Sequence, residues 1–150
     1  MTSIFSDAGQ SELKERLGRI AAQDAPRWGK MNGAQMFVHC RRPLELAFGE
    51  RHVKRGLVGL LFGGFFKKRL VNGSMPFKPG LPTDPAFLIV DEREFEEERR
   101  KLLERLAKCA DQGPAGLTRE RHPFFGRLTP DEWDRLMWKH LEHHLRQFGV

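Results

Sequence analysis

Of the chain's six histidines, His140 and His144 in KHLEHHLRQFG stand four residues apart. On a helix that spacing stacks two rings on one face, where an HxxxH pair can reach a single divalent ion. A wheel at about 100° per residue, with Trp133 at zero, gathers Leu136, Met137, Leu141, Leu145 and Phe148 into one apolar arc. His140 and His144 fall near its middle, at about −20° and +20°. Arg135, Lys139, Glu142 and Arg146 cluster on the opposite side, and His143 sits at the edge of the arc. Imidazoles in a core stripe are costly unless their nitrogens find partners. A metal ion is one such partner, and a pair of hydrogen-bonded core histidines is the simpler alternative.

A third candidate ligand is His39, in QMFVHCRRPLELAFG. Helical spacing places it on the side of Met36, Pro43 and Leu46, with Arg41 and Glu45 facing away. Pro43 cannot donate to the carbonyl of His39, so a kink is expected beside that histidine. Gln35 and Gln147 lie within a turn of the histidines and are weighed as groups that orient a ligand ring, against an ordinary surface or capping role. His122 precedes Pro123 and is expected in an extended loop. Cys40 points to the apolar centre of its helix and reads as packing.

Four segments have the spacing needed to carry these residues. The first runs from about Ser11 to Gln23, with Leu13, Leu17, Ile20 and Ala21 on one face. The second starts at Asn32, an N-cap with Gln35 at the third helical position, and ends near Gly49. The third begins at Asp91, with Glu94 three positions on, and reaches Gly113. The fourth opens on Thr129-Pro130-Asp131-Glu132, a capping box with proline in the first turn, and runs to about Phe148. Glu50–Val90, roughly 40 residues, is far longer than a tight connection. It predicts a long crossover that leaves the second and third helices parallel. Within it Gly56–Phe66 suggests a short helix, and Phe87–Val90 an extended piece.

A chain of 150 residues has the size of one domain, here taken as 1–150. Its 39% hydrophobic and 31% charged residues argue against wholesale disorder. The net charge of +6 raises a nucleic-acid or anionic-membrane partner. That charge is local, however: residues 51–80 hold seven Lys and Arg and no acid, and the rest of the chain nets −1. The stretch GLVGLLFGGFF, flanked by Arg51, Lys54, Arg55, Lys67, Lys68 and Arg69, could serve single strands or anionic lipid. The favoured expectation is an apolar segment packed on the bundle or on a second subunit, with nucleic acid and membrane disfavoured as partners. Two cysteines without a CxxC pattern, and an N-terminus without a secretory pattern, are read as a cytoplasmic protein with reduced thiols.

The blocks RWGKMNGAQMFVHC, HPFFGRLTPDEW and KHLEHHLRQFG resemble the DinB/YfiT-like superfamily of metal-binding four-helix bundles. The nearest likeness is to a branch defined as a domain of unknown function, and it extends from about residue 10 to the C-terminus. The resemblance implies an all-α four-helix bundle with a long crossover between its second and third helices. It also implies His39, His140 and His144 as ligands to a divalent metal, zinc or nickel most commonly. Some members of that superfamily are thiol-dependent transferases or isomerases using a low-molecular-weight thiol, and others are hydrolases. The branch has no settled activity, and a metal-dependent enzyme of one of these types on a small-molecule substrate is the expectation. Three neutral imidazoles with no fourth protein ligand match the pattern of catalytic zinc. No carboxylate on the fourth helix shares the stripe, Glu142 pointing away and Asp134 lying at its rim, so the residues that do the chemistry beyond the metal are unassigned. A non-catalytic metal- or small-molecule-binding protein is the alternative, as is a basic surface module at residues 51–69. A homodimer through the bundle or the crossover is compatible with the sequence.

Overall fold

The computed structural model describes residues 2–150. Its elements are α1 (Asp7–Arg19), α2 (Gly33–Ala47), α3 (Leu57–Phe66), α4 (Phe95–Gln112) and α5 (Pro130–Gln147), with short helical turns at Lys67–Val71, Pro85–Phe87 and Pro114–Gly116. No strand occurs among the described residues, only one isolated bridge, His122 to Gly126. The protein is all-helical, as the sequence predicts.

Local chemistry sets the helix boundaries. Asn32 and Gln35 form the expected capping box, as do Thr129 and Glu132. α1 begins earlier than predicted because the Ser6 hydroxyl accepts from Gly9 N–H, and it ends at Arg19, before extended Ile20. α4 begins later than predicted: Glu94 is its N-cap, taking the N–H groups of Glu96 and Glu97 on its carboxylate. At Phe87–Val90 a 3-10 turn capped by Asp84 precedes the extended piece.

Side-chain contacts give the helix directions. Phe37 packs on Phe95, Arg41 pairs with Glu98, Arg105 donates to the Leu44 carbonyl, and Lys108 pairs with Glu50. Contacts thus advance together along both helices, so α2 and α4 run parallel, as the crossover length requires. α1 and the segment before it dock beside α5: Asp134 accepts from Ile4 N–H, and Arg16 pairs with Glu142. Leu13, Leu17, Met36, Phe37, Leu102, Leu106, Trp133, Leu141 and Leu145 form the shared core. Each buried leucine contributes about 1.5–3 kcal/mol relative to exposure. Both cysteines are free and buried, Cys40 as expected.

The expected packing of Gly56–Phe66 on the body of the protein is only half met. α3 forms, but it touches the rest of the chain through Gly59, Gly63 and Phe66, whose ring packs on Phe124. A β-carbon on Gly63 would lie 2.0 Å from the Phe124 carbonyl oxygen, and one on Gly59 would lie 2.7 Å from that of Pro123. Close approach of backbone to backbone turns the bulky side chains outward, and Leu57, Val58, Leu60, Leu61, Phe62 and Phe65 are all exposed. No helix among the described residues is long and apolar enough to cross a membrane.

Candidate metal centre

α2 and α5 face each other across three imidazoles. His39 comes from the second turn of α2, and His140 and His144 from successive turns of α5. Nε2 of His39 and Nε2 of His140 lie 3.0 Å apart. Ring centroids are 4.6 Å apart for His39 and His144, and 4.7 Å for His140 and His144. One nitrogen from each ring can be chosen so that all lie within 4.8 Å of one another. His39 and His144 are buried and His140 is half-buried.

Two of the rings have their tautomer fixed from behind. The Phe87 carbonyl lies 2.7 Å from Nδ1 of His39 and accepts its proton, leaving the Nε2 lone pair turned inward. Gln147 does the same for His144, its Oε1 accepting from Nδ1 at 2.7 Å. The Gln147 amide then donates to the Trp28 carbonyl at 2.6 Å, so its orientation is fixed as well. Partners of this kind aim a ligand ring and raise its basicity. Gln147 therefore holds the His144 ring in place, where the sequence favoured an ordinary surface or capping amide. Gln35 does not: it completes the capping box and reaches the Asp91 carbonyl.

The long crossover closes the site. Phe77 sets its ring edge-on to His140, and its carbonyl accepts from Nδ1 of His143 at 3.2 Å. Trp28 also packs on His143. Arg42, one turn beyond His39, donates to the Ala86 carbonyl and ties that segment to α2. Phe77, Phe87 and Trp28 were not foreseen, since they act through backbone carbonyls and ring faces that leave no spacing signature.

Electrostatics keep the cluster neutral. Burial, reinforced by His39 and His143 and opposed by the Gln147 hydrogen bond, brings the His144 pKa down to about 3. His140 lies well below the ordinary histidine value, through burial and then the neighbouring imidazoles. Burial lowers His39 too, against the pull of the Phe87 carbonyl. Neutral imidazoles are the form that binds a metal. No aspartate or glutamate joins the cluster among the described residues.

His122 orients no ligand ring. Its Nδ1 accepts from the N–H groups of Phe124 and Phe125, at 3.0 and 3.1 Å, inside a turn closed by Gly126 at φ 76°. Its ring packs on Trp133. The thiols are equally remote from chemistry: burial raises Cys40, and raises Cys109 to about 11.

Fold and cluster together define an all-helical protein with three converging histidines that could hold a metal ion. Residues 85–149 match a family described as protein of unknown function (DUF1569). The match takes in α4 and α5, and with them His140 and His144, while His39 lies before it. No curated protein and no solved structure matches the chain.

Proposed function

We propose that the chain is a metal-dependent protein of the DinB/YfiT-like four-helix-bundle type, with His39, His140 and His144 as ligands to one divalent ion. One observation carries this reading: Nε2 of His39 faces Nε2 of His140, one nitrogen from each of the three rings lies within 4.8 Å of the others, and Nδ1 of His39 and of His144 is held by Phe87 and Gln147. Two nitrogens bound to one tetrahedral zinc at about 2.0–2.1 Å stand about 3.3 Å apart. The 3.0 Å separation of His39 and His140 is near that value. Nitrogen donors suit zinc, nickel, iron or copper, with zinc or nickel the first choice.

Such an ion, with an open position, supplies Lewis acidity that favours deprotonation of water or of a small thiol at neutral pH. The chain's own part is to orient the rings and hold the ligands neutral. This suits a thiol-dependent transfer or a hydrolysis on a small-molecule substrate, with no protein carboxylate as base. The second reading is non-catalytic: His140, protonated on Nε2, donates to His39, and the cluster is a hydrogen-bonded core. The 3.0 Å contact favours it as directly as it favours a metal.

Metal analysis of protein purified without a chelating tag separates the two. Near one equivalent of metal, lost in a His140→Ala/His144→Ala variant, supports the site. A metal content near zero that those substitutions leave unchanged identifies the hydrogen-bonded core. A panel of small thiols with electrophiles, beside hydrolysable esters and amides, then distinguishes transfer from hydrolysis, and inactivity across it identifies a binding protein.

A further inference from the structure

We infer that α3 is an interfacial anchor that docks the protein on an anionic lipid bilayer. The helix presents Leu57, Val58, Leu60, Leu61, Phe62 and Phe65 to solvent, with Leu61 66% and Phe62 52% exposed. On a wheel at about 100° per residue these six cover an arc of about 200°. Gly59 and Gly63 occupy the other side, and their backbone lies directly on that of residues 123–125. The outward apolar face is therefore a consequence of how the helix is seated: Gly59, Gly63 and Phe66, whose ring packs on Phe124, are spent on the contact, and the other six large side chains are left outside. A contiguous exposed face of this kind marks an interaction site.

Charge selects the occupant. Residues 51–80 contain seven Lys and Arg and no acid. Lys54, Lys68 and Arg69 are exposed beside the helix, and Arg69 lies over the Phe65 ring. Lys67 and Arg51 are partial exceptions, pairing with Glu132 and Glu45. A second copy of the chain would bring two such cationic segments face to face. A nucleic acid would satisfy the cations, but four of the six exposed side chains are aliphatic and offer no stacking platform. An anionic bilayer satisfies both, taking phosphate against the cations and acyl chain against the leucines and phenylalanines. The helix has ten residues, about 15 Å of length, so it lies in the interface and does not span it. The sequence alone disfavoured this partner, because an apolar run reads as buried until the glycines are seen to face inward.

Co-sedimentation of the whole protein with vesicles tests the inference, using equal parts phosphatidylglycerol and phosphatidylcholine against phosphatidylcholine alone. The protein is expected to partition to the anionic vesicles and to be released by salt. Partition should fall by more than about tenfold in Leu61→Ser/Phe62→Ser/Phe65→Ser and, separately, in Lys68→Glu/Arg69→Glu. All five positions are exposed, so circular dichroism should show an unchanged fold. The inference is overturned if the wild-type protein stays in the supernatant, or if the apolar variant sediments as well as wild type. A dimer in vesicle-free solution that the apolar substitutions dissolve would overturn it too, in favour of a second copy. So would single-stranded DNA binding that survives those substitutions while vesicle binding is absent.

Discussion

Gln147 accepts a hydrogen bond from Nδ1 of His144 at 2.7 Å while its amide donates to the Trp28 carbonyl at 2.6 Å. The last turn of α5 thereby ties a candidate ligand to the loop before α2. Gln147→Leu keeps the volume and removes the acceptor. Metal affinity is expected to fall about 10- to 100-fold, as for other partners that orient a ligand histidine. Competition with a chromogenic chelator measures it. An unchanged affinity in a folded variant would mean that His144 needs no orientation from Gln147.

Bound metal should stabilise the fold. At free zinc a hundred times Kd, linkage gives about 2.7 kcal/mol, worth several degrees in Tm for a chain of this size. Differential scanning fluorimetry with and without zinc reads it. His39→Ala, His140→Ala and His144→Ala should each abolish most of the shift. A shift that persists in all three would place the binding elsewhere.

Acid should weaken the metal-free protein before its carboxylates titrate. Burial, with Arg55 nearby, lowers the His122 pKa to about 3, and its Nδ1 is committed to two backbone N–H groups. An unfolded histidine takes its proton near 6.5. Below about pH 6.5 the unfolded state therefore binds protons that the native state refuses, and stability falls with pH until the folded pKa is reached. Each linked proton contributes about 1.4 kcal/mol per pH unit. Urea unfolding between pH 6.5 and 5 should show this slope, and His122→Ala should reduce it by about one proton's worth. An identical slope in the variant would show that His122 already protonates in the folded state.

Gly63→Val tests how α3 is seated. Its first side-chain carbon would meet the Phe124 carbonyl oxygen at 2.0 Å, and backbone cannot yield as a flexible side chain does. The helix should lift, at about 1–3 kcal/mol, and limited proteolysis should cut within residues 57–66. Metal binding should persist, because His39, His140 and His144 stand on α2 and α5. Wild-type resistance to protease would show that α3 is held by something besides its glycines.

The parts of this structure that could be read in advance share a physical cause. His140 and His144 were legible because Thr129 and Glu132 fix where α5 starts, and a fixed start sets the phase of every later residue. Asn32 and Gln35 do the same for His39. The carbonyls of Phe87 and Phe77 were not legible, since any residue offers a carbonyl and the crossover has no period from which to count. α3 misled because hydrophobicity was weighed without size. The glycines at 59 and 63, four apart, carried the signal that the small face packs and the large face does not.

His39 and His140 are 101 residues apart in sequence and in contact in space. Whatever joins their rings, proton or ion, is a clasp across two-thirds of the chain. In the unfolded protein those rings meet only by closing a very long loop, and a link that survives there removes more chain freedom than one between near neighbours. The contact is also non-local, and contacts of that kind slow folding because the loop must close before it is rewarded. The cluster is thus a long-range fastening, one that closes only where the two halves of the chain have found each other.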